Sequence, residues 1–342
     1  MEFFLSYLLF LAKIVTFIFS ITILYIFFTF SREKIRNQKG NLKITDLNKI
    51  YQNYYNLMKQ AKMTKKEYKK WIKLDKKNKK TKKKDNVKNK FFKKRFCLFV
   101  INFFGNVNAE EVRSLKEEIT AILLVAEKGD RVLLRLESFG GTVNGYGLAA
   151  FQLNRLREKG IKLIVSIDKV AASGGYMMAS VANKIIAAPF SVIGSIGVIA
   201  QIPNMYKFLK NKDIDVEMHT AGEYKRTLTM FGENTETGRK KFLEELNETH
   251  KLFKDFVKKN RPEVEIDSVS TGECWYGIQA IENKLIDELS VSDEIIMKNI
   301  KSFKIIEVSY IKNKKPIKRL FWMFSKILKK FPYINYLKNN LL

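Results

Sequence analysis

The segment A-A-S-G-G-Y at residues 171–176 places Ser173 where an apolar strand ends and an apolar helix begins. A serine there sits among free backbone N–H groups that favour a developing anion. Gly174 and Gly175 let the backbone turn sharply and come close to a substrate. The logic is that of a nucleophile elbow, although the pattern is not G-x-S-x-G. A plain serine N-cap with glycines for turning fits this segment equally well. A second strand-terminal glycine turn, E-S-F-G-G at residues 137–141, could supply another donor. Acyl transfer needs two N–H groups aimed at the oxyanion, and Gly174 together with Gly140 or Gly141 would provide them.

A serine nucleophile also needs a base. Only two histidines are present, His219 and His250. His250 falls within the charged helical stretch N-E-T-H-K-L-F-K-D-F, where a surface position is expected, and His219 falls in an expected strand without an obvious carboxylate to orient it. Lys225 lies in the loop A-G-E-Y-K-R-T, after the strand-like I-D-V-E-M-H-T. A lysine amine stripped of water can serve as a neutral base, whereas an exposed loop lysine is the bland reading in so lysine-rich a chain. Two histidines cannot form a metal site alone, and Cys97 and Cys274 match neither a zinc spacing nor a disulfide framework. No cofactor is expected.

The elements that must hold these residues alternate. C-L-F-V-I-N-F-F-G has a buried-strand pattern, and residues 109–127 carry apolar residues at helical spacing. R-V-L-L-R-L-E-S reads as a strand, residues 147–159 as a helix closed by Gly160, K-L-I-V-S-I-D as a strand and K-I-I-A-A-P as another. This β-α-β-α-β order predicts an α/β fold with parallel strands and crossover helices. Residues 185–202 are free of charge, but Pro189, Gly194, Ser195 and Gly197 divide them into short strands and turns rather than a membrane span. Residues 236–260 predict a long charged amphipathic helix stopped near Pro262, and T-G-E-C-W-Y-G-I-Q-A-I-E-N-K-L-I-D a loop entering a helix.

The net charge of +28 suggests nucleic acid until it is located. Residues 59–95 carry 19 basic and 3 acidic side chains, residues 309–342 carry 9 basic and none acidic, and residues 96–308 are close to neutral. The charge therefore sits in appendages, and a juxtamembrane segment beside anionic lipid, or plain solvation, accounts for it more simply than nucleic acid. Residues 3–30 contain one charge, Lys13, and the uncharged run 14–31 is long enough to span a bilayer. Neither a basic leader nor a small-residue cleavage site accompanies it, so a retained anchor is expected rather than a cleaved signal peptide. Arg32, Lys34, Arg36 and Lys39 favour a cytoplasmic C-terminal side, although AT-rich codon bias and the long downstream domain leave the membrane face open. The expected organisation is an anchor at 1–31, a Lys-rich tether at 32–95, a catalytic domain at 96–308 and a basic amphipathic tail at 309–342 that lies on a membrane or docks on a partner.

The stretches V-A-A-S-G-G-Y-M-M-A, P-F-S-V-I-G-S-I-G-V-I-A-Q, H-T-A-G-E-Y-K-R-T-L-T-M-F-G-E-N-T-E and L-N-E-T-H-K-L-F-K-D-F-V, in this order, resemble the signal peptide peptidase A family of Ser-Lys peptidases. The similarity runs from the N-terminal anchor to about residue 310. It implies a ClpP/crotonase-like β-superhelix with crossover helices, preceded by one N-terminal transmembrane helix in a bacterial inner membrane. It further implies Ser173 as nucleophile, Lys225 as general base, Ser195 as the residue orienting that base, and oxyanion donors at Gly174 and the Gly140–Gly141 pair. Substrates would be peptides from membrane proteins, including signal peptides, and the assembly a homo-oligomer. A non-catalytic oligomeric membrane scaffold of the same fold is the alternative, and an acyl-CoA enzyme is disfavoured because no acid pair or basic pocket for CoA is evident. The family has S-P-G-G where this chain has S-F-G-G; Phe139 frees φ and restores an N–H, so the oxyanion turn is expected to be less rigid. Residues 141–144 are expected to pair with an extended substrate as an added strand.

Overall fold

A computed structural model describes residues 2–32, 40–75 and 95–312. The chain divides into two compact units, one of residues 42–310 and one of residues 1–41 with 311–342. In the smaller unit, α1 (Glu2–Arg32) is one continuous helix of 31 residues. Among the described residues no helix is long and apolar enough to cross a membrane. The K-K-N-K-K-T-K-K-K stretch and the tail beyond residue 312 lie outside the described residues.

The larger unit is built on a ten-stranded sheet. Its elements in chain order begin with β1 (Gly40–Asp46), α2 (Leu47–Lys62) and a further helix α3 over residues 65–75. Next come β2 (Cys97–Gly105), α4 (Val112–Leu123), β3 (Arg131–Ser138), α5 (Val143–Glu158) and β4 (Lys162–Ile167). Then follow β5 (Val170–Ala172), α6 (Gly174–Ser180), β6 (Lys184–Ala187), β7 (Val192–Gly194) and α7 (Tyr206–Lys210). The remainder is α8 (Glu236–Asn260), α9 (Ile266–Val269), β8 (Cys274–Tyr276), α10 (Gly277–Glu282), β9 (Glu288–Leu289), α11 (Ser292–Asn299) and β10 (Lys304–Lys312).

The strand order is β1-β10-β2-β3-β4-β6-β9, with β5 branching from β3 to pair β7, which in turn pairs β8. Pairings from β10 to β9 are parallel, as are β3–β5 and β5–β7; β7–β8 is antiparallel. Parallel strands covered on both faces need apolar residues at successive positions. In β2, Phe99, Ile101 and Phe103 face one core with α4, α5 and α6, whereas Leu98 and Val100 face a second core with Leu133, Ile164, Ile186 and Ile296. That division explains the unbroken apolar run of β2.

The sheet reaches into the Lys-rich segment expected as a tether. β1 lies at the sheet edge beside β10, and Asn48 at the start of α2 donates to the Ile300 and Phe303 carbonyls and accepts from Ile305 N–H at 2.6 Å. Lysines alone do not unfold a segment whose Leu47 can be buried and whose amide side chain finds partners.

Candidate active site

Register brings the first two site residues together. β5 and β7 run parallel with Ala172 opposite Gly194, so Ser173 and Ser195 are the next residues on adjacent strands. Ser173 N–H donates to Gly194 O at 2.7 Å, and Ser195 N–H donates to Glu273 O at 2.6 Å. Both serines have positive φ, 52° at Ser173 and 48° at Ser195, in a region that non-glycine residues enter only where surrounding structure holds them. Ser173 makes no side-chain capping bond to α6, which sets aside the plain N-cap reading. α6 has only seven residues, so what it offers is individual N–H groups near the hydroxyl rather than the dipole of a long helix.

The glycine turn after β3 closes on the same point. Gly140 has φ +87°, and a Cβ there would lie 2.7 Å from Gly174 N and 2.8 Å from Ser173 Cβ. Gly140 N–H is held by Ser138 Oγ at 3.0 Å. Gly141 N–H and Gly174 N–H have no partner among the described residues, and they are the donors left open beside Ser173. Phe139, where the family carries proline, is 77% exposed at the turn's tip. The turn next to it is held by the Gly140 N–H bond to Ser138 Oγ. Residues 141–144 do not offer an added-strand edge: Thr142 N–H donates to Val107 O at 2.9 Å, and α5 begins at Val143, four residues before the expected start.

Lys225 makes no hydrogen bond to this junction among the described residues. It is exposed in the mostly irregular segment 198–235, where residues 214–220 form no strand despite their alternation. Among the described residues neither Lys225 Nζ, Ser173 Oγ nor Ser195 Oγ has a hydrogen-bond partner, so within one chain the lysine does not meet the serine hydroxyl. His219 is exposed with Glu217 3.3 Å away, a carboxylate the sequence reading overlooked. His250 is part-buried on α8, its Nε2 3.2 Å from Ile196 O, rather than on the surface. Neither histidine bonds to Ser173. No group of metal-ligating side chains occurs among the described residues.

Two residues that pattern did not single out lie at the centre of this site. Ser138, 1% exposed, and fully buried Tyr146 join their hydroxyls at 2.5 Å. Only the register of β3 against β5, Ser138 opposite Ala171, reveals their proximity to Ser173.

Comparison with known proteins identifies relatives of this chain. Residues 2–153 match the N-terminal model of peptidase family S49, and residues 155–305 match the peptidase family S49 model. The chain is 54% identical to the probable protease SohB of Buchnera aphidicola subsp. Acyrthosiphon pisum, over 98% of this chain and 100% of that one. It is 57% identical to the probable protease SohB of Haemophilus influenzae, over 66% of this chain and 64% of that one. Among solved structures, the membrane-bound stomatin-specific protease 1510-N aligns with a TM-score of 0.41 at 14% identity, covering 60% of this chain and 86% of that one. The two S49 models together span nearly all of the folded unit, and the chain belongs to peptidase family S49.

Proposed function

We propose that this peptidase is a membrane-anchored serine endopeptidase working by a Ser-Lys dyad, with a ClpP/crotonase-like superhelical fold. The observation that carries the reading is the junction of β5 and α6, where Ser173 is held at φ 52° beside the Gly140 turn and the open Gly174 N–H. In the first step Ser173 Oγ bonds to the peptide carbonyl carbon while its proton passes to Lys225 Nζ. The carbonyl electron pair moves to oxygen, which the backbone donors at Gly174 and the glycine turn stabilise. Collapse breaks the C–N bond, and Lys225 returns the proton to the leaving amine. Water then attacks the acyl-enzyme, giving one proton to Lys225 and from there to Ser173 Oγ. Ser195, one strand over, orients the lysine.

The dyad needs Lys225 brought in and dried. The segment that carries it exposes Ile199, Met205, Phe208, Met218, Tyr224 and Phe231. A homo-oligomer would cover this arm and strip water from the amine. Although α1 falls short of a spanning helix among the described residues, the single charge in residues 3–30 favours this segment as an attachment to a bacterial inner membrane, with peptides from membrane proteins, including signal peptides, as substrates.

Replacing either dyad member is the test. Ser173→Ala and Lys225→Ala are each expected to lower turnover of a fluorogenic apolar peptide by at least 10³-fold (order of magnitude), and His250→Ala to retain it. A serine-directed fluorophosphonate should label the parent chain and not Ser173→Ala. An active Lys225→Ala enzyme would remove the dyad, and an unlabelled parent chain would favour the scaffold reading.

A further inference from the structure

Tyr146 contacts both halves of the oxyanion site. Its hydroxyl donates to Asn106 O at 2.8 Å. A phenol has one proton, so the 2.5 Å bond to Ser138 must be donated by Ser138 Oγ–H. Ser138 Oγ in turn accepts Gly140 N–H at 3.0 Å. The proton direction is thus fixed along the whole relay, from Gly140 N–H to Ser138 to Tyr146 to the Asn106 carbonyl. The other half is steric. A Cβ on Gly174 would lie 2.7 Å from Tyr146 Cβ and 2.8 Å from its Cδ2, so the start of α6 rests directly on this side chain.

We infer that Tyr146, acting through Ser138, is the positioning residue that sets the glycine turn against the nucleophile and so fixes the separation of the oxyanion donors. This rests on the peptidase reading. The relay is buried at both hydroxyls, where a hydrogen bond is stronger and a lost partner costs more than at the surface. Positioning of this kind acts on the transition state more than on the bound substrate, because the oxyanion exists only after attack.

The test uses the full chain in detergent micelles, with Tyr146→Phe and Ser138→Ala separately and together. Each preparation is normalised by fluorophosphonate titration of Ser173, so that misfolded molecules do not count. Each single variant should lose about tenfold in kcat at unchanged KM, a fraction of the 10²–10³ that a whole oxyanion donor is worth. Affinity for a peptide aldehyde, whose adduct carries the oxyanion, should fall in parallel. The double variant should lose little more than the worse single one, since the two act as a unit. Unchanged kcat and aldehyde affinity per titrated site in both single variants would overturn the inference, as would a loss confined to KM. Those outcomes would leave the peptidase reading intact. Turnover that survives Ser173→Ala would sink that reading itself.

Discussion

At the scale of single residues, the site is defined by what cannot be enlarged. Gly174 lies against the Tyr146 ring and Gly140 against Gly174 N. Gly174→Ala keeps helix propensity but drives a methyl group into a fully buried aromatic. It is expected to cost about 1–3 kcal/mol by overpacking and to lower fluorophosphonate labelling by at least tenfold at temperatures where the chain remains folded. Gel-based labelling alongside thermal unfolding checks both parts. Ser173 was legible as a candidate at a strand end before two glycines, with a plain N-cap fitting equally well, whereas Ser195 was indicated only by the family resemblance. Tyr146 was not legible, because a tyrosine at a helical position packs in a core far more often than it ends a relay. Its role depends on Ser138 and Asn106, eight and forty residues away in the chain.

At the scale of elements, the strongly patterned ones were legible and the short ones were not. β3 spans the expected R-V-L-L-R-L-E-S, and α8 the expected 236–260, each with a pattern long enough to show its period. β8, three residues long, was hidden in a stretch that looked like loop entering helix. The expected strand before Lys225 failed for the opposite reason, because alternation favours a strand only where a neighbouring strand accepts its hydrogen bonds, and there residues 214–220 are all exposed. α4 carries a testable charge. Burial raises the Glu118 carboxyl from 4.5 to about 7, with the Tyr310 N–H bond opposing the shift. At pH values below the ordinary carboxyl range both folded and unfolded states are protonated, and the group has no effect. As pH rises from 4.5 to about 7, the unfolded chain ionises first and folding stability falls; above that range the loss levels off. Glu118→Gln, which keeps an acceptor for Tyr310 N–H, should abolish this slope and stabilise the protein at pH 8 by on the order of 2–3 kcal/mol. Urea unfolding at pH 5 and pH 8 measures it, and identical slopes for both chains would refute it.

At the scale of the whole molecule, charge and apolar character are unevenly distributed: the N-terminal segment is apolar, the appendages are basic and residues 96–308 are close to neutral. The folded unit from residue 42 to residue 310 contains Ser173, Ser195 and the Ser138–Tyr146 relay. Deleting residues 2–32 should therefore move the protein from the membrane fraction to the soluble fraction of bacterial lysates while Ser173 remains labelled. Continued sedimentation with membranes after carbonate washing would show that the basic segments or the tail suffice for attachment.

The sequence by itself determined the α/β alternation and the buried parallel character of the sheet, and it offered Ser173 and Lys225 as candidates that the family resemblance selected. Those properties are local, since burial on two faces dictates runs of apolar residues and a sharp turn dictates glycine. Only the tertiary structure decided which turns meet: β5 placed between β3 and β7 brings the Ser138, Ser173 and Ser195 positions together, and leaves Lys225 exposed and without a hydrogen bond to them among the described residues. Periodicity records how much of each element is buried, not which neighbour buries it, and partnership across a sheet is fixed by register and crossover packing that no single segment contains.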